Sequence, residues 1–206
     1  MQFIRYMQEH YPDVEIVYPY EELMNAKEEY GGLPLYLEAD THWNPIGGFV
    51  GTRTLLEKIS ELTGAPYTAE HREFAYAGQG GGTDLATMGG LGSSYTSALY
   101  IPDVKDTFIV EAVPDRRTED ILRHTAISPD GNGGNGVNLY VVGDSFRHMM
   151  SQYFFEWAGK TTVVNRFYFD PDDMIAQHPN VVVYEMVDRH LGELSNLPGY
   201  NTSSLR

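Results

Sequence analysis

A chain of 206 residues, 42% hydrophobic and 21% charged, has the length and composition of one globular domain with a sizeable core. Its formal net charge of −15 repels phosphate backbones and sets nucleic acid aside as a partner, while the absence of cysteine excludes disulfides, thiolate metal sites and cysteine nucleophiles. No run approaches the ~18 apolar residues a membrane span needs, and no basic segment followed by an apolar run opens the chain.

Residues 1–11 read as a helix, with Phe3, Ile4, Met7 and Tyr11 at helical spacing. That helix begins with neither a capping residue nor a preceding strand, so the chain is expected to join its domain part-way. Residues 14–18 alternate as a strand that Pro19 ends, and residues 21–30 form a helix stopped by Gly31-Gly32. The first 40 residues carry nine Asp or Glu against Arg5 and Lys27, a pattern read as a solvated acidic face.

The segment Asp40-Thr41-His42-Trp43-Asn44-Pro45 comes next, with Pro45 placed where a first helical turn accepts it. Residues 46–63 put Phe49, Leu55, Leu56, Ile59 and Leu62 on one helical stripe, closed by Gly64. His42 therefore lies in a loop just before a helix, a place that suits catalytic side chains. Residues 65–100 are expected to be irregular. Seven glycines between Gly78 and Gly92 match neither a dinucleotide fingerprint nor a phosphate loop, so they line a cleft or form a surface loop. Residues 99–101 and 107–113 suggest a hairpin, and residues 130–136 a loop.

The last third alternates regularly: strand 137–142, helix 147–157, strand 161–164, helix 172–177 and strand 181–184. Short β-branched strands separated by helices predict a parallel sheet covered on both faces. Active sites in such folds lie at the carboxyl ends of the strands, and Ser145 of Val142-Gly143-Asp144-Ser145-Phe146 falls there. The tail from residue 191 onward has little periodicity.

A serine hydroxyl is a poor nucleophile until a base takes its proton. His42 is the candidate base, and Asp40, two residues earlier, the acid that sets its tautomer. Gly-Asp-Ser is equally a strand-ending turn with Ser145 as helix cap. Trp43 either stacks on a sugar or anchors its loop in the core. Asn44 either donates to an oxyanion or caps the following helix, and capping is favoured. His148 is a rival base one turn past the serine, and Asp144 a rival acid beside it. The other histidines show no ligand spacing, so neither metal nor cofactor is expected.

Taken together, four stretches resemble the SGNH-hydrolase-like domains of the alginate O-acetylation proteins AlgX and AlgJ and the related DHHW family. They are residues 35–48 around Asp40-Thr41-His42-Trp43, Thr83-Asp84-Leu85-Ala86, residues 139–146 around Gly143-Asp144-Ser145-Phe146, and residues 181–189 ending in Glu185 and Arg189. The resemblance covers roughly residues 1–195 and leaves 196–206 as a tail. It implies a three-layer, flavodoxin-like α/β fold with a mostly parallel central sheet, and a permuted order in which acid and histidine precede the serine. It also implies a Ser145–His42–Asp40 triad, with Phe146, Trp43, Asn44 and Arg189 around the oxyanion and substrate. Glu185 and Arg189 are either a structural ion pair behind the site or substrate contacts, and the structural reading is favoured.

The function so implied is a carbohydrate O-acetyltransferase or acetylesterase in exported polysaccharide modification. The implied acceptor is a carbohydrate or polysaccharide, the implied acetyl donor is one supplied by a membrane partner, and the implied place is extracytoplasmic. The rival is a noncatalytic carbohydrate-binding or assembly domain on the same fold. A Ser145–His42 separation well beyond ~3.2 Å favours that rival.

Overall fold

The computed structural model describes residues 2–80, 83–103, 108–112, 121–126 and 135–196. Helices α1 (Gln2–His10) and α2 (Tyr20–Glu29) lead to the long helix α3 (Pro45–Thr63). Strand β1 (Phe74–Gly80), helix α4 (Asp84–Met88) and strand β2 (Ser97–Pro102) follow. Strands β3 (Phe108–Ala112) and β4 (Ile121–Ala126) precede β5 (Asn138–Gly143), α5 (His148–Trp157), β6 (Lys160–Asn165), α6 (Pro171–Ala176) and β7 (Val181–Tyr184).

The main sheet has the order β3-β4-β6-β5-β7. Strands β6, β5 and β7 run parallel, while β4 pairs antiparallel with β6 and β3 antiparallel with β4. The expected parallel sheet is therefore present as three strands, carrying an antiparallel pair at one edge. The mostly parallel expectation is corrected to a mixed sheet, because β4 pairs antiparallel with β6 and β3 antiparallel with β4.

Strand β5 packs against a core on each of its faces. Leu139 and Val141 enter a core with Leu56 and Ile59 of α3 and Met150, Phe154 and Phe155 of α5. Their neighbours Tyr140 and Val142 enter a second cluster with Ile121 and Val164, against which Phe169 and Met174 pack. Period-two alternation sends Leu139 and Val141 to one face and Tyr140 and Val142 to the other, so beyond Asn138 both faces of the strand are apolar or aromatic. A third cluster joins Ala26 and Tyr30 to Ile46, Phe49, Val50 and Tyr153, fixing α2 on α3.

Three expectations change. Residues 14–18 pair with no strand among the described residues, since alternation fixes a face but supplies no partner. Residues 99–101 belong to β2, whose antiparallel partner is β1 rather than residues 107–113. The stretch expected to be irregular thus contains a two-stranded sheet with a bulge near Gly78. The loop expected at 130–136 lies mostly outside the described residues, as does the tail beyond 196, whereas Asp188–Asn196 forms 3₁₀ turns.

The helices α3 and α5 cross closely enough that a Cβ on Gly48 would lie 2.6 Å from both Cβ and O of Met149. His42 precedes α3 and Ser145 precedes α5, so this contact sets how near the two functional loops come. Among the described residues, no helix is long and apolar enough to cross a membrane.

Candidate active site

The loop carrying His42 is a narrow turn. Tyr36 and Trp43 form a β-bridge, Leu37 N donates to His42 O at 3.0 Å, and Asn44 N donates to Leu35 O at 2.9 Å. Asn44 then caps α3, its Oδ1 accepting from Ile46 N and Gly47 N. Its Nδ2 donates to Pro34 O, and the side chain is fully buried. Both ends of the amide are occupied within the protein, so the substrate-binding expectation for Asn44 is corrected to a cap. Trp43 is likewise an anchor: it is buried, its indole N–H donates to Phe146 O at 2.9 Å, and its ring meets Phe146 edge-on.

Ser145 stands at the end of the parallel strand β5, in a 3₁₀ turn (Ser145–Arg147) that leads into α5. Gly143 is needed here for space. A Cβ at this position would lie 2.7 Å from Glu185 Oε2 and 3.0 Å from Arg147 Cβ.

The two loops meet. Ser145 Oγ lies 2.6 Å from His42 Nε2, and His42 Nδ1 lies 2.6 Å from Asp40 Oδ1. Oδ1 of Asp40 also accepts the His42 backbone N–H at 3.0 Å, and Oδ2 accepts the Asp84 backbone N–H at 3.2 Å. With the Nδ1 proton directed at Asp40, Nε2 is left to accept from the serine hydroxyl. Asp40 is buried, which opposes its charge. The hydrogen bonds from the His42 ring, the Asp84 backbone and the His42 backbone outweigh that cost and hold its carboxyl below the usual range.

The rivals are placed elsewhere. His148 opens α5 and is exposed. Asp144 turns its carboxylate away from His42: Oδ1 accepts from Phe146 N at 2.9 Å, and Oδ2 accepts from Val187 N at 3.0 Å and bonds His190 Nδ1 at 2.9 Å. Because Phe146 N–H is committed to Asp144, it is not directed at a reacting carbonyl, which corrects its expected oxyanion role. The Phe146 ring instead packs 4.9 Å from His42 and carries the exposed Arg189 guanidinium 5.3 Å from its centroid. Arg189 is therefore at the rim of the site rather than beside Glu185.

Three further residues meet this arrangement: Glu185, expected as the ion-pair partner of Arg189 or as a substrate contact, and His190 and Asp84, for which no role was expected. Glu185, at the end of β7, accepts the Asp144 backbone N–H at 3.1 Å. Burial, and then the Asp144 charge, push its carboxyl up to about 8. His190 completes this cluster under the serine turn. Asp84 approaches His42 from the other side, its Oδ2 lying 3.6 Å from Nδ1. Asp40, His42 and Asp84 are also where potential metal-ligand atoms converge among the described residues, but Asp40 Oδ1 and His42 Nδ1 already face each other there.

The raised Glu185 has a consequence for stability. The folded state keeps a proton that the unfolded chain, with an ordinary value of 4.5, releases. Its stabilising effect is therefore complete below about 4.5 and lost as pH rises through about 8. Asp40 and Asp144, both lowered from 3.8, act oppositely: their contribution is present above 3.8 and lost as pH falls through their folded values. Glu185→Gln should flatten the alkaline decline, gaining on the order of a few kcal/mol over wild type at pH 9. Urea unfolding at pH 5, 7 and 9 measures this, and parallel curves for both proteins would contradict it.

Comparison with known proteins places this geometry in a shared fold. No family model matches the sequence, and no curated protein matches it either. Solved structures do. A DHHW family protein from Eubacterium siraeum DSM 15702 superposes with a TM-score of 0.56 at 17% identity, over 82% of this chain and 63% of that one. PatB1 of Bacillus cereus, solved with a sulfonyl adduct, gives 0.58 at 15% identity, over 82% and 66%. The O-acetyltransferase domain of Pseudomonas putida AlgJ gives 0.58 at 17% identity, over 99% and 70%. This chain thus spans about two thirds of the length of those structures. It has the mixed α/β fold found in the DHHW family protein, in PatB1 and in the AlgJ O-acetyltransferase domain, as the motifs around His42 and Ser145 predicted.

Proposed function

We propose that this chain is a serine-dependent O-acetyltransferase or acetylesterase acting on carbohydrate in exported polysaccharide modification. One observation carries the reading: Ser145 Oγ, His42 Nε2, His42 Nδ1 and Asp40 Oδ1 form a continuous chain of hydrogen bonds, each link 2.6 Å. The rival noncatalytic reading does not require such convergence. Likeness in fold to an AlgJ O-acetyltransferase domain supports the acetyl chemistry.

In the proposed reaction Ser145 Oγ attacks the acetyl carbonyl while His42 Nε2 takes the hydroxyl proton. Asp40 stabilises the imidazolium that results. The Ser145 backbone N–H, at the start of the turn into α5, is the proposed oxyanion donor. Collapse of the tetrahedral intermediate expels the donor alkoxide, which takes the proton from His42, and leaves acetyl on Ser145. His42 then deprotonates the incoming hydroxyl, from a sugar or from water, which attacks the acetyl-serine and restores the enzyme. The acceptor held at the rim decides between transfer and hydrolysis. Arg189 over Phe146 is the proposed contact for a polar acceptor there.

The acid and histidine precede the serine in sequence, the permuted order, and the sheet lies between two covering layers. An acetyl donor delivered by a membrane partner and an extracytoplasmic site of action belong to the same proposal. Acetyl release from a chromogenic ester, with and without neutral or anionic oligosaccharides, is the test. Acetylated oligosaccharide in the product supports transfer, acetate alone supports hydrolysis, and no acetyl release from any ester overturns the proposal.

A further inference from the structure

Beyond the three residues of that chain, one exposed side chain is held against the catalytic histidine without being needed for packing. Asp84 opens α4, and the two N–H groups after it, of Leu85 and Ala86, both donate to Ala39 O, at 3.0 and 3.3 Å. This locks the start of α4 onto the loop that bears Asp40. The Asp84 backbone N–H binds Asp40 Oδ2 at 3.2 Å, and Thr41 Oγ1 donates to Asp84 Oδ2 at 3.3 Å. That same Oδ2 lies 3.6 Å from His42 Nδ1, too long for a hydrogen bond but close enough for charge attraction. The Asp84 side chain is 48% exposed, against 6% for Asp40, so it keeps water access and freedom to move.

We propose that Asp84 is a positioning residue for His42: its backbone holds Asp40, and its carboxylate is a second acceptor for the Nδ1 proton. The inference rests on His42 being the general base. When His42 takes the serine proton, the imidazolium meets two carboxylates rather than one. When Asp40 is lost, a small rotation brings Asp84 Oδ2 onto Nδ1 and keeps the same tautomer.

Downfield proton NMR reads the Nδ1–H directly, with no dependence on turnover. A His proton donated to a carboxylate should resonate far downfield in wild type, persist in Asp40→Ala, and vanish in Asp40→Ala/Asp84→Asn. Loss of the resonance in Asp40→Ala alone overturns the proposal. In turnover, Asp84→Asn should lower kcat about fivefold with KM unchanged, as for a partly exposed charge pair, and Asp84→Glu should restore most of it. In the Asp40→Ala background the same substitution should cost at least about fiftyfold, since the two carboxylates substitute for each other. An unchanged kcat in Asp84→Asn, or equal factors in both backgrounds, overturns it. Should Ser145→Ala retain ester turnover, the catalytic reading fails separately, and the NMR arm still decides this one.

Discussion

Ser145→Ala should lose ester turnover by at least roughly a thousandfold while keeping its fold. The hydroxyl is part-buried, its one described side-chain partner is His42, and alanine fills the remaining volume without a clash. Removing the nucleophile of such a triad typically costs ~10³ to 10⁶ in kcat, and what survives is the binding and oxyanion contribution. His42→Ala should cost nearly as much, and the double variant should cost little more than either alone, because the residues act as one unit. Additive losses would mean that the two side chains act separately. Thermal unfolding of each variant within ~2 °C of wild type would separate the chemical loss from a folding loss.

The second large effect is structural. A glycine inside a helix normally gains ~0.5–1 kcal/mol when replaced by alanine. Gly48 should do the reverse. The added Cβ would sit 2.6 Å from Met149 O and 2.9 Å from Met149 C, backbone atoms that no rotamer change can move aside. Overpacking of this kind costs ~1–3 kcal/mol, and with backbone on one side Gly48→Ala should reach the upper end. For a chain of this length that lowers Tm by about 6–12 °C. Pushing α3 from α5 also separates His42 from Ser145, and a shift of ~1 Å can cost ~10²-fold in rate. Calorimetry and ester turnover on the same sample measure both effects. A higher Tm would show that the α3–α5 contact is looser than described.

The parts of the molecule that were legible in sequence share a property: their signal is local. Helix α3 carries its own cap at Asn44, its own Pro45 at the first turn and its own stop at Gly64, whose φ is 72°. Strands β5, β6 and β7 are short runs rich in β-branched residues, and in β5 the stretch from Leu139 to Val142 is buried on both faces. Asp40 and His42 are two residues apart, and Ser145 follows directly on the end of a strand, so each candidate had a local reason to lie at the site.

What sequence did not show depends on partners distant in the chain. Strand β1 is glycine-rich and mostly exposed, and only pairing with β2 defines it. The antiparallel edge of the main sheet rests on β4 meeting β6. The alternating residues 14–18 have the composition of a strand, but composition does not supply a neighbour. Glu185 and His190 become meaningful only because β7 lies beside β5, bringing them to Asp144, 41 and 46 residues away. Asp84 had a visible trace, the Thr83-Asp84-Leu85-Ala86 stretch, yet nothing in the local pattern aimed it at His42. Phe146 shows the opposite error, while Asn44 follows the favoured of its two readings, the helix cap. Both lie within two residues of Ser145 or His42, and both spend the relevant hydrogen-bonding groups on the turns that hold those residues in place.

The central claim is that His42 activates Ser145 as a nucleophile, and covalent labelling tests it most directly. A sulfonyl fluoride captures a serine oxygen only when its proton is removed, and the similarly folded PatB1 has been solved with a sulfonyl adduct. Peptide mapping by mass spectrometry should find one label, on Ser145, formed in wild type and nearly absent in His42→Ala under the same exposure. No label on Ser145, or labelling at the same rate without His42, would contradict the account.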